Sequence, residues 1–544
     1  MLPPAAHLRV LPPRADRQAI LTAALLAVQQ RLRAAAGPLG FTQQTLDQAV
    51  LRCSDHTDVV GATAELIEQA TAGARRLGGV DRLWLLLTCV QGQFPTSEDV
   101  LRLRRNLELD DGLAASRFLL ASTSRPVGDF SALPAVLVHD QVVVDTGHTA
   151  GGNLNTGIQR VVREVLRRWT PGRPVLPVAW TEHQSCTRTL TAAELQRTSR
   201  WGVALETAPT TPIASGPVAE GPVAEGPLAG TSALPQLVIP WRSTYLVPEL
   251  PLEPERLARL IALARYSGTR VVLIGYDLIP VTNAAAVGGG LAALFAHYLS
   301  MVKHSAKIIA ISETAALEFR GLNQAFAAQG LALPEVVTCA LPTAIPPSGG
   351  LDDEEQRLLS SDAPLVLSVG SVEMRKNHLA LLHAAEVLWR EGLHFRLLIL
   401  GKVNSASTAV VTLIDELRAA GRDVEVRSGV SDTALGAAYR AARLTVFMST
   451  HEGYGLPVAE SIASGTPVVT TCFGSTAEAA LGGGALLVDP RDDDAIAAAI
   501  RTLLTDDVLH ASLVAQCHAR PPRTWDDYCD EIWSHLQPSP EVTG

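Results

Sequence analysis

Short apolar runs alternate with amphipathic segments from about residue 133 to the end of the chain. The apolar runs stand at 135–139, 142–145, 270–275, 307–311, 365–369, 395–401, 424–430 and 444–448. Most are followed by a segment with helical periodicity; in 158–169, for example, valine, leucine and tryptophan share one face and three arginines another. Strands that alternate with helices in this way are typical of a parallel sheet with crossover helices. The pattern therefore predicts an α/β architecture.

The first 130 residues follow a different pattern. Stretches rich in Ala, Leu and Arg at 18–36, 59–77 and 80–91 predict helices. The sequence Pro-Thr-Ser-Glu at 95–98 predicts that Thr96 or Ser97 caps a further helix. We recognise no enzyme motif here, and we interpret residues 1–130 as a helical accessory domain for oligomerisation, partner binding or acceptor recruitment.

Segments rich in proline and glycine divide the rest of the chain. A tandem Gly-Pro-Val-Ala-Glu repeat lies within 207–236, and such a sequence cannot bury a core, so we predict a flexible loop there. The segment 342–350 reads as a linker between domains. We therefore predict one α/β domain over 131–342, a second over 351–520, and a closing helix within 521–540.

The most informative stretch, 449–465, reads Ser-Thr-His-Glu-Gly-Tyr-Gly-Leu-Pro-Val-Ala-Glu-Ser-Ile-Ala-Ser-Gly. It follows an apolar strand and leads through a glycine-rich turn into a helix, whose N-terminal N–H groups favour anions. Two carboxylates, Glu452 and Glu460, flank the turn eight positions apart. Because a carboxylate does not pair with a phosphate, this combination indicates a ligand with both phosphate and hydroxyl groups, such as a nucleotide sugar. The alternative is an ordinary βα unit with a surface glutamate.

A second motif follows the apolar run 365–369 and reads Gly-Ser-Val-Glu-Met-Arg-Lys-Asn-His at 370–378. Arg375 and Lys376 lie where a loop leaves the carboxyl end of a predicted parallel strand, which is the usual ligand crevice of open α/β sheets. Two adjacent cations there can neutralise a diphosphate leaving group without a metal ion. A solvated basic turn is the alternative.

The two motifs together resemble the Glu-x7-Glu signature and the Glu-x-Arg-Lys-Asn loop of retaining glycosyltransferases with the GT-B fold, glycosyltransferase family 4. The resemblance implies two Rossmann-like domains that face a cleft. It also implies that Glu452 contacts the donor sugar, that Glu460 contacts the ribose, and that Arg375 and Lys376 hold the phosphates. Further donor contacts are expected at Gly370, Glu373, Lys402, Gly453, Tyr454, Gly455 and Leu456. Ser371 departs from the family, because many members carry an arginine there.

The resemblance extends more weakly into the first α/β domain. It places Gly157 and Arg160 beside the cleft, with Arg160 near phosphate or acceptor, although a solvated helix face explains Arg160 equally well. The family often has a His-Asp pair where this chain has Tyr276 and Asp277. Asp277 is therefore the better candidate for a sugar or acceptor contact, or it caps a turn.

Two other polar motifs have simpler interpretations as helix caps. Ser312 precedes a predicted helix and lacks the surroundings of a nucleophile. The acidic run 492–494 precedes another helix and favours its N-terminus, so we expect no metal site there.

Composition limits the remaining function classes. The 544 residues carry a net charge of −10, which argues against nucleic acid as a partner. The seven cysteines are scattered without metal-type spacing, and no apolar run is long enough to span a bilayer. These features, and the absence of an evident signal peptide, predict a cytoplasmic protein, compatible with peripheral membrane contact and with a homo-oligomer formed through the N-terminal helices.

The resulting hypothesis is a retaining, metal-independent hexosyltransferase that needs no cofactor beyond its nucleotide sugar co-substrate. The acceptor is a hydroxyl group of a glycan, a glycolipid or a protein. Two other classes stay open. One is a nucleotide-sugar epimerase or hydrolase, and the other is a non-catalytic partner or scaffold subunit. The first would act on a nucleotide sugar alone, and the second would bind no donor.

Overall fold

The computed structural model describes residues 14–41, 56–109, 113–123, 133–154, 156–201, 235–284, 290–343, 349–360, 362–403 and 407–537. The chain forms two compact units, Met1–Val272 and Leu273–Gly544. Most of the predicted flexible loop at 207–236 and the middle of the predicted linker at 342–350 lie outside the described residues. The predicted domain boundaries stay predictions.

The first unit begins with helices. They are α1 (Arg14–Ala34), α2 (Ala36–Leu39), α3 (His56–Leu77), α4 (Val80–Gln91), α5 (Ser97–Leu109) and α6 (Leu113–Thr123). Helix α4 is the centre of their core, because Leu83–Gln91 are all buried. Of the two residues predicted to cap α5, Thr96 is the one that does so in the structure, because its Oγ1 accepts a hydrogen bond from Asp99 N at 3.3 Å.

A mixed sheet follows in the same unit. Its strands are β1 (Ala135–Val138), β2 (Val142–Asp145), β3 (Val175–Trp180), β4 (Thr187–Thr189), β5 (Leu237–Pro240), β6 (Thr244–Val247) and β7 (Arg270–Gly275), whose last residues belong to the second unit. Their order is β1-β5-β4-β3-β2-β6-β7. Strand β4 runs antiparallel to both neighbours, whereas β2 pairs in parallel with β3 and β6.

The helices between these strands are α7 (Gly147–Gly151), α8 (Gly157–Trp169), α9 (Ala192–Arg197) and α10 (Pro254–Tyr266). The predicted apolar face of α8 is buried at Val161, Val162, Val165, Leu166 and Trp169. Arg163, one of the three arginines predicted on the other face of this helix, is buried too. Its Nε donates to Arg197 O at 2.9 Å, and its guanidinium lies 3.7 Å from the centre of the Trp201 ring.

The helices at the N-terminus pack on this sheet through an aromatic contact and two arginines. The ring centres of Phe94 and Trp180 are 5.6 Å apart. Arg242 pairs with Asp81 at 2.7 Å, and Arg259 donates to the carbonyl of Phe94. The helical region is therefore part of the same compact unit as the sheet.

The second unit continues from β7 through α11 (Ile279–Thr282), α12 (Leu291–Val302), β8 (Lys307–Ala310), α13 (Glu313–Ala327) and β9 (Glu335–Thr338). Strands β8 and β9 pair in parallel. As predicted, Ser312 caps α13, because its Oγ accepts a hydrogen bond from Ala315 N.

The remaining strands form a six-stranded parallel sheet. They are β10 (Leu365–Val369), β11 (Arg396–Leu400), β12 (Val424–Arg427), β13 (Leu444–Phe447), β14 (Val468–Thr471) and β15 (Ala485–Val488), in the order β12-β11-β10-β13-β14-β15. All five pairings are parallel. The chain therefore moves outward from β10 to β12 and then returns to the other side of β10 at β13.

Helices lie between and after these strands: α14 (Asp353–Leu359), α15 (His378–Arg390), α16 (Thr408–Ala419), α17 (Asp432–Ala441), α18 (Leu456–Ala463), α19 (Gly474–Ala479), α20 (Asp493–Thr505), α21 (Asp507–Ala519) and α22 (Trp525–Leu536). The closing helix α22 and the residues before it bond to the segment after β9, where Arg523 Nε donates to Ala340 O at 2.8 Å. The predicted fold class, two Rossmann-like α/β domains after a helical region, is confirmed. Among the described residues, no helix has the length and apolar character of a membrane span.

Two strand ends of the second sheet approach each other at a pair of glycines. A Cβ built on Gly401 would lie 1.8 Å from the carbonyl oxygen of Gly370. We expect Gly401→Ala to lower the free energy of unfolding by about 3 kcal/mol, because the added methyl forces the backbone of one strand end to move. Chemical denaturation measures this. In the control Gly321→Ala, on the exposed face of α13, a Cβ meets nothing within 4 Å, so stability should hold or rise.

Candidate active site

The loops after β10 and β13 meet where the strand order of the second sheet reverses. These two strands are neighbours, although three helices and two strands separate them in the chain. In open α/β sheets, ligands bind outside the carboxyl ends of the strands at such a reversal point. Both predicted motifs lie here: the first follows β10 and the second follows β13.

The two loops are joined by ion pairs. Lys376 Nζ lies 2.5 Å from Glu452 Oε1, and Arg375 pairs with Glu452 Oε2 at 2.8 Å. Ser449 Oγ also donates to Glu452 Oε1 at 2.5 Å. Lys376 lies over the ring of Phe447, with Nζ 4.7 Å from the ring centre. The structure therefore brings together the two cations and the first glutamate that the sequence singled out.

Burial and charge act in opposite directions on this cluster. Burial alone disfavours an ionised Glu452, but the charges of Lys376 and Arg375, together with hydrogen bonds from Lys376 and Ser449, hold its pKa below the usual range. Burial lowers the pKa of Lys376, against the opposing effect of Glu452. A buried carboxylate thus balances cations that are otherwise available to an anionic ligand.

The loop after β10 contributes a carboxylate of its own, Glu373. Glu373 pairs with Arg375 at 2.9 Å and accepts a hydrogen bond from Ser371 Oγ at 2.8 Å. Ser371, the departure from the family, therefore orients the partner of Arg375. Gly370 has φ 142°, a conformation that favours glycine, and it lies beside the Lys376 side chain.

The glycine-rich turn after Glu452 is fixed by its neighbours. Gly455 has φ 91° and precedes helix α18, which begins at Leu456. Gly453 O accepts a hydrogen bond from Ser312 Oγ at 2.7 Å, and Tyr454 Oη donates to Leu341 O at 2.6 Å. The turn therefore presents the start of α18 from a fixed position.

Glu460 lies on α18, as predicted, but it is only 6% exposed. Its Oε2 accepts a hydrogen bond from Tyr439 Oη at 3.1 Å, and Tyr439 is buried on the neighbouring helix α17. The carboxylate that the resemblance assigns to the ribose is therefore oriented by a tyrosine.

Tyr276 and Asp277 follow β7 and lie against the same turn. A Cβ on Gly453 would lie 2.7 Å from Tyr276 O and 3.1 Å from Asp277 Oδ2. Asp277 Oδ1 accepts a hydrogen bond from Ile279 N at 3.1 Å, so it also caps the turn, and loss of hydration raises its pKa. The structure thus adds Asp277 to the cluster around Glu452.

Three other predicted residues are found on other elements. Lys402 follows β11, with an exposed side chain. Gly157 and Arg160 begin helix α8 and belong to the first compact unit. The acidic run at 492–494 is a helix cap, as predicted: the Asp492 carboxylate accepts a hydrogen bond from Ala495 N at 2.9 Å.

Several residues at the site were missed from the sequence. Glu478 accepts hydrogen bonds from Glu313 N at 2.7 Å and Thr314 N at 2.9 Å, at the start of α13. His451 lies 2.6 Å from Glu318. Of these, only His451 carried a signal, because it directly precedes Glu452.

Both predicted motifs lie in a part of the chain that matches a known family. Residues 351–518 match the family model described as glycosyl transferases group 1, so the predicted resemblance is confirmed. Retention and membership of family 4 stay predictions.

The chain is similar to the serotype-specific mannosyltransferase WbdA of Escherichia coli, with 36% identity over 128 residues, which cover 23% of this chain and 15% of WbdA. It is also 36% identical over 173 residues to the D-inositol 3-phosphate glycosyltransferase of Xylanimonas cellulosilytica, covering 31% of this chain and 41% of the relative. The crystal structure of Anabaena HepE in complex with UDP and glucose aligns with a TM-score of 0.49 and 13% identity, covering 73% and 99% of the two chains. The chain spans less than half the length of both curated relatives.

Proposed function

We propose that this chain transfers a hexose or deoxyhexose from a nucleotide diphosphate sugar to a hydroxyl group of a glycan, glycolipid or protein, with retention at the anomeric carbon and without a metal ion. The observation that carries the proposal is the cluster of Arg375, Lys376 and Glu452 at the reversal point of the second sheet. The group 1 match over the same residues supports it.

The chemical difficulty of the reaction is the charge that develops on the departing diphosphate. Arg375 and Lys376 are preorganised cations in a largely buried site, where electrostatic stabilisation is stronger than in water. The diphosphate competes with Glu452 for both of them. Donor binding therefore exchanges an internal ion pair for one with the leaving group, and the start of α18 adds backbone N–H groups to it.

The carboxylates serve the sugar side of the reaction. Glu452, released from its cations, contacts the donor sugar, and Asp277 lies beside the next residue of the turn, Gly453. Glu460, oriented by Tyr439, holds the ribose hydroxyls. Neither glutamate needs to form a covalent intermediate, since the spacing of Glu452 and Glu460 alone does not supply the facing carboxylate pair of a glycosidase.

The donor preference follows from resemblance. The Glu-Met-Arg-Lys-Asn loop favours a mannose-like or deoxyhexose donor, and a mannosyltransferase is among the similar proteins.

The test follows the release of nucleoside diphosphate and the anomeric configuration of the product by NMR, with panels of nucleotide sugars and hydroxyl acceptors. We expect acceptor-dependent release and a product that keeps the donor's anomeric configuration. Inversion contradicts retention. Release without an acceptor indicates a hydrolase, and interconversion of the nucleotide sugar alone indicates an epimerase.

A further inference from the structure

An imidazole beside Glu452 connects the catalytic loop to the segment after β7. His451 Nε2 lies 2.6 Å from Glu318 Oε1, and both side chains are largely buried, with 20% and 15% exposed. Glu318 is on α13, and its second oxygen accepts a hydrogen bond from Leu278 N at 2.8 Å. One carboxylate therefore links the loop of Glu452 to the residue that follows Asp277.

The backbone of His451 takes part in the cation site itself. Its carbonyl oxygen accepts a hydrogen bond from Arg375 Nη1 at 3.1 Å. The side chain of His451 thus faces Glu318 and Asp277, whereas its main chain holds the arginine that we assign to the phosphates.

We propose that His451 and Glu318 form a positioning pair that holds Glu452 in register with Asp277 for sugar transfer while the imidazole is protonated. The proposal rests on the proposed transferase function. His451 itself need not touch the substrate, so its role differs from those of Glu452 and Lys376.

The charges around His451 favour the protonated form. Glu318 on α13, Asp277 after β7 and Glu452 in the same loop are the acidic groups that face it, and the hydrogen bond to Glu318 makes the largest contribution to the raised pKa of His451. Arg375 approaches the carbonyl side of the residue. The ion pair between His451 and Glu318 is therefore fully formed below the ordinary imidazole pKa of 6.5. Its contribution is lost as the pH rises through the higher pKa that His451 has in the folded protein.

Turnover of His451→Gln and Glu318→Gln between pH 5.5 and 9 tests the proposal. We expect His451→Gln to lower kcat by about tenfold or more, the size typical of misplaced catalytic groups, and to lose the alkaline fall of the wild-type profile. Glu318→Gln should move that fall to lower pH, because the carboxylate no longer stabilises the imidazolium. The affinity for nucleoside diphosphate should stay within about twofold in both variants, since the backbone carbonyl that holds Arg375 remains.

His394→Gln is the matched control, because His394 is exposed in the segment just before β11. Its kcat and pH profile should equal those of the wild type. If His451→Gln also has the wild-type kcat and profile, the positioning pair is wrong even though the transferase function stands.

A second measurement needs no substrate and separates the two hypotheses. The melting temperature of the wild type should exceed that of His451→Gln most at pH 5.5–6, and the difference should shrink as the pH rises to 9. If the difference in melting temperature does not change with pH, the proposed pair of His451 and Glu318 is wrong. If no nucleotide sugar is turned over but the difference shrinks as expected, the pair is supported as an element of the fold and the proposed transfer reaction is wrong.

Discussion

Replacing Lys376 with alanine should lower kcat by about 10²–10³-fold, the usual loss when one preorganised group that stabilises developing charge is removed. Lys376 is largely buried, and its Nζ lies 2.5 Å from Glu452. Without it, the departing diphosphate loses a cation, and Glu452 loses one of the two charges that offset its burial. Initial rates at saturating donor and acceptor measure the change.

Lys303→Ala is the matched control for this variant, because Lys303 follows helix α12 and lies outside the cluster around Glu452. It should leave kcat unchanged. A Lys376→Ala protein that melts like the wild type and keeps wild-type turnover contradicts the role of Lys376 in charge stabilisation. A variant with greatly lowered stability is uninformative on its own, so Lys376→Gln, which keeps most of the side chain, is measured beside it and should show the same loss.

Glu452→Gln should have opposite effects on turnover and on product affinity. We expect kcat to fall by about 10²-fold, because the donor sugar loses its carboxylate contact. Free nucleoside diphosphate should bind roughly tenfold more tightly, equivalent to about 1.4 kcal/mol, because it no longer displaces a carboxylate from Arg375 and Lys376. Calorimetric titration of the nucleoside diphosphate measures the second effect.

Glu373→Gln separates this competition from a general change in charge. It removes the other carboxylate partner of Arg375 but leaves both ion pairs of Glu452 in place. We therefore expect a smaller gain in affinity and a smaller loss in kcat than with Glu452→Gln. Equal gains from both variants contradict a specific exchange at Glu452.

Much of the fold was predictable because its strands are continuous apolar runs. Strand β10 occupies the predicted residues, 365–369, because both of its faces are covered and nearly every side chain is apolar. The run 424–430 was predicted as one strand, but β12 ends at Arg427. Gly429, with φ 76°, takes the chain out of the extended conformation, which an apolar pattern does not reveal.

The site was predictable where its residues belong to short motifs that directly follow a strand. Arg375, Lys376 and Glu452 lie in loops that directly follow predicted strands, and the carboxyl ends of parallel strands share one edge of a sheet. Tyr439 and Glu318 belong to other helices and reach Glu460 and His451 only in the folded chain. Such long-range partners follow from packing, so a single sequence carries no signal for them.

The most direct test of the central proposal is a thermal-shift screen of the purified protein against GDP-, UDP-, dTDP- and ADP-sugars without added metal, with Lys376→Ala beside the wild type. We predict that one nucleotide sugar raises the melting temperature of the wild type and that the shift is lost in Lys376→Ala. No shift with any nucleotide sugar would contradict the proposal and would favour a non-catalytic partner.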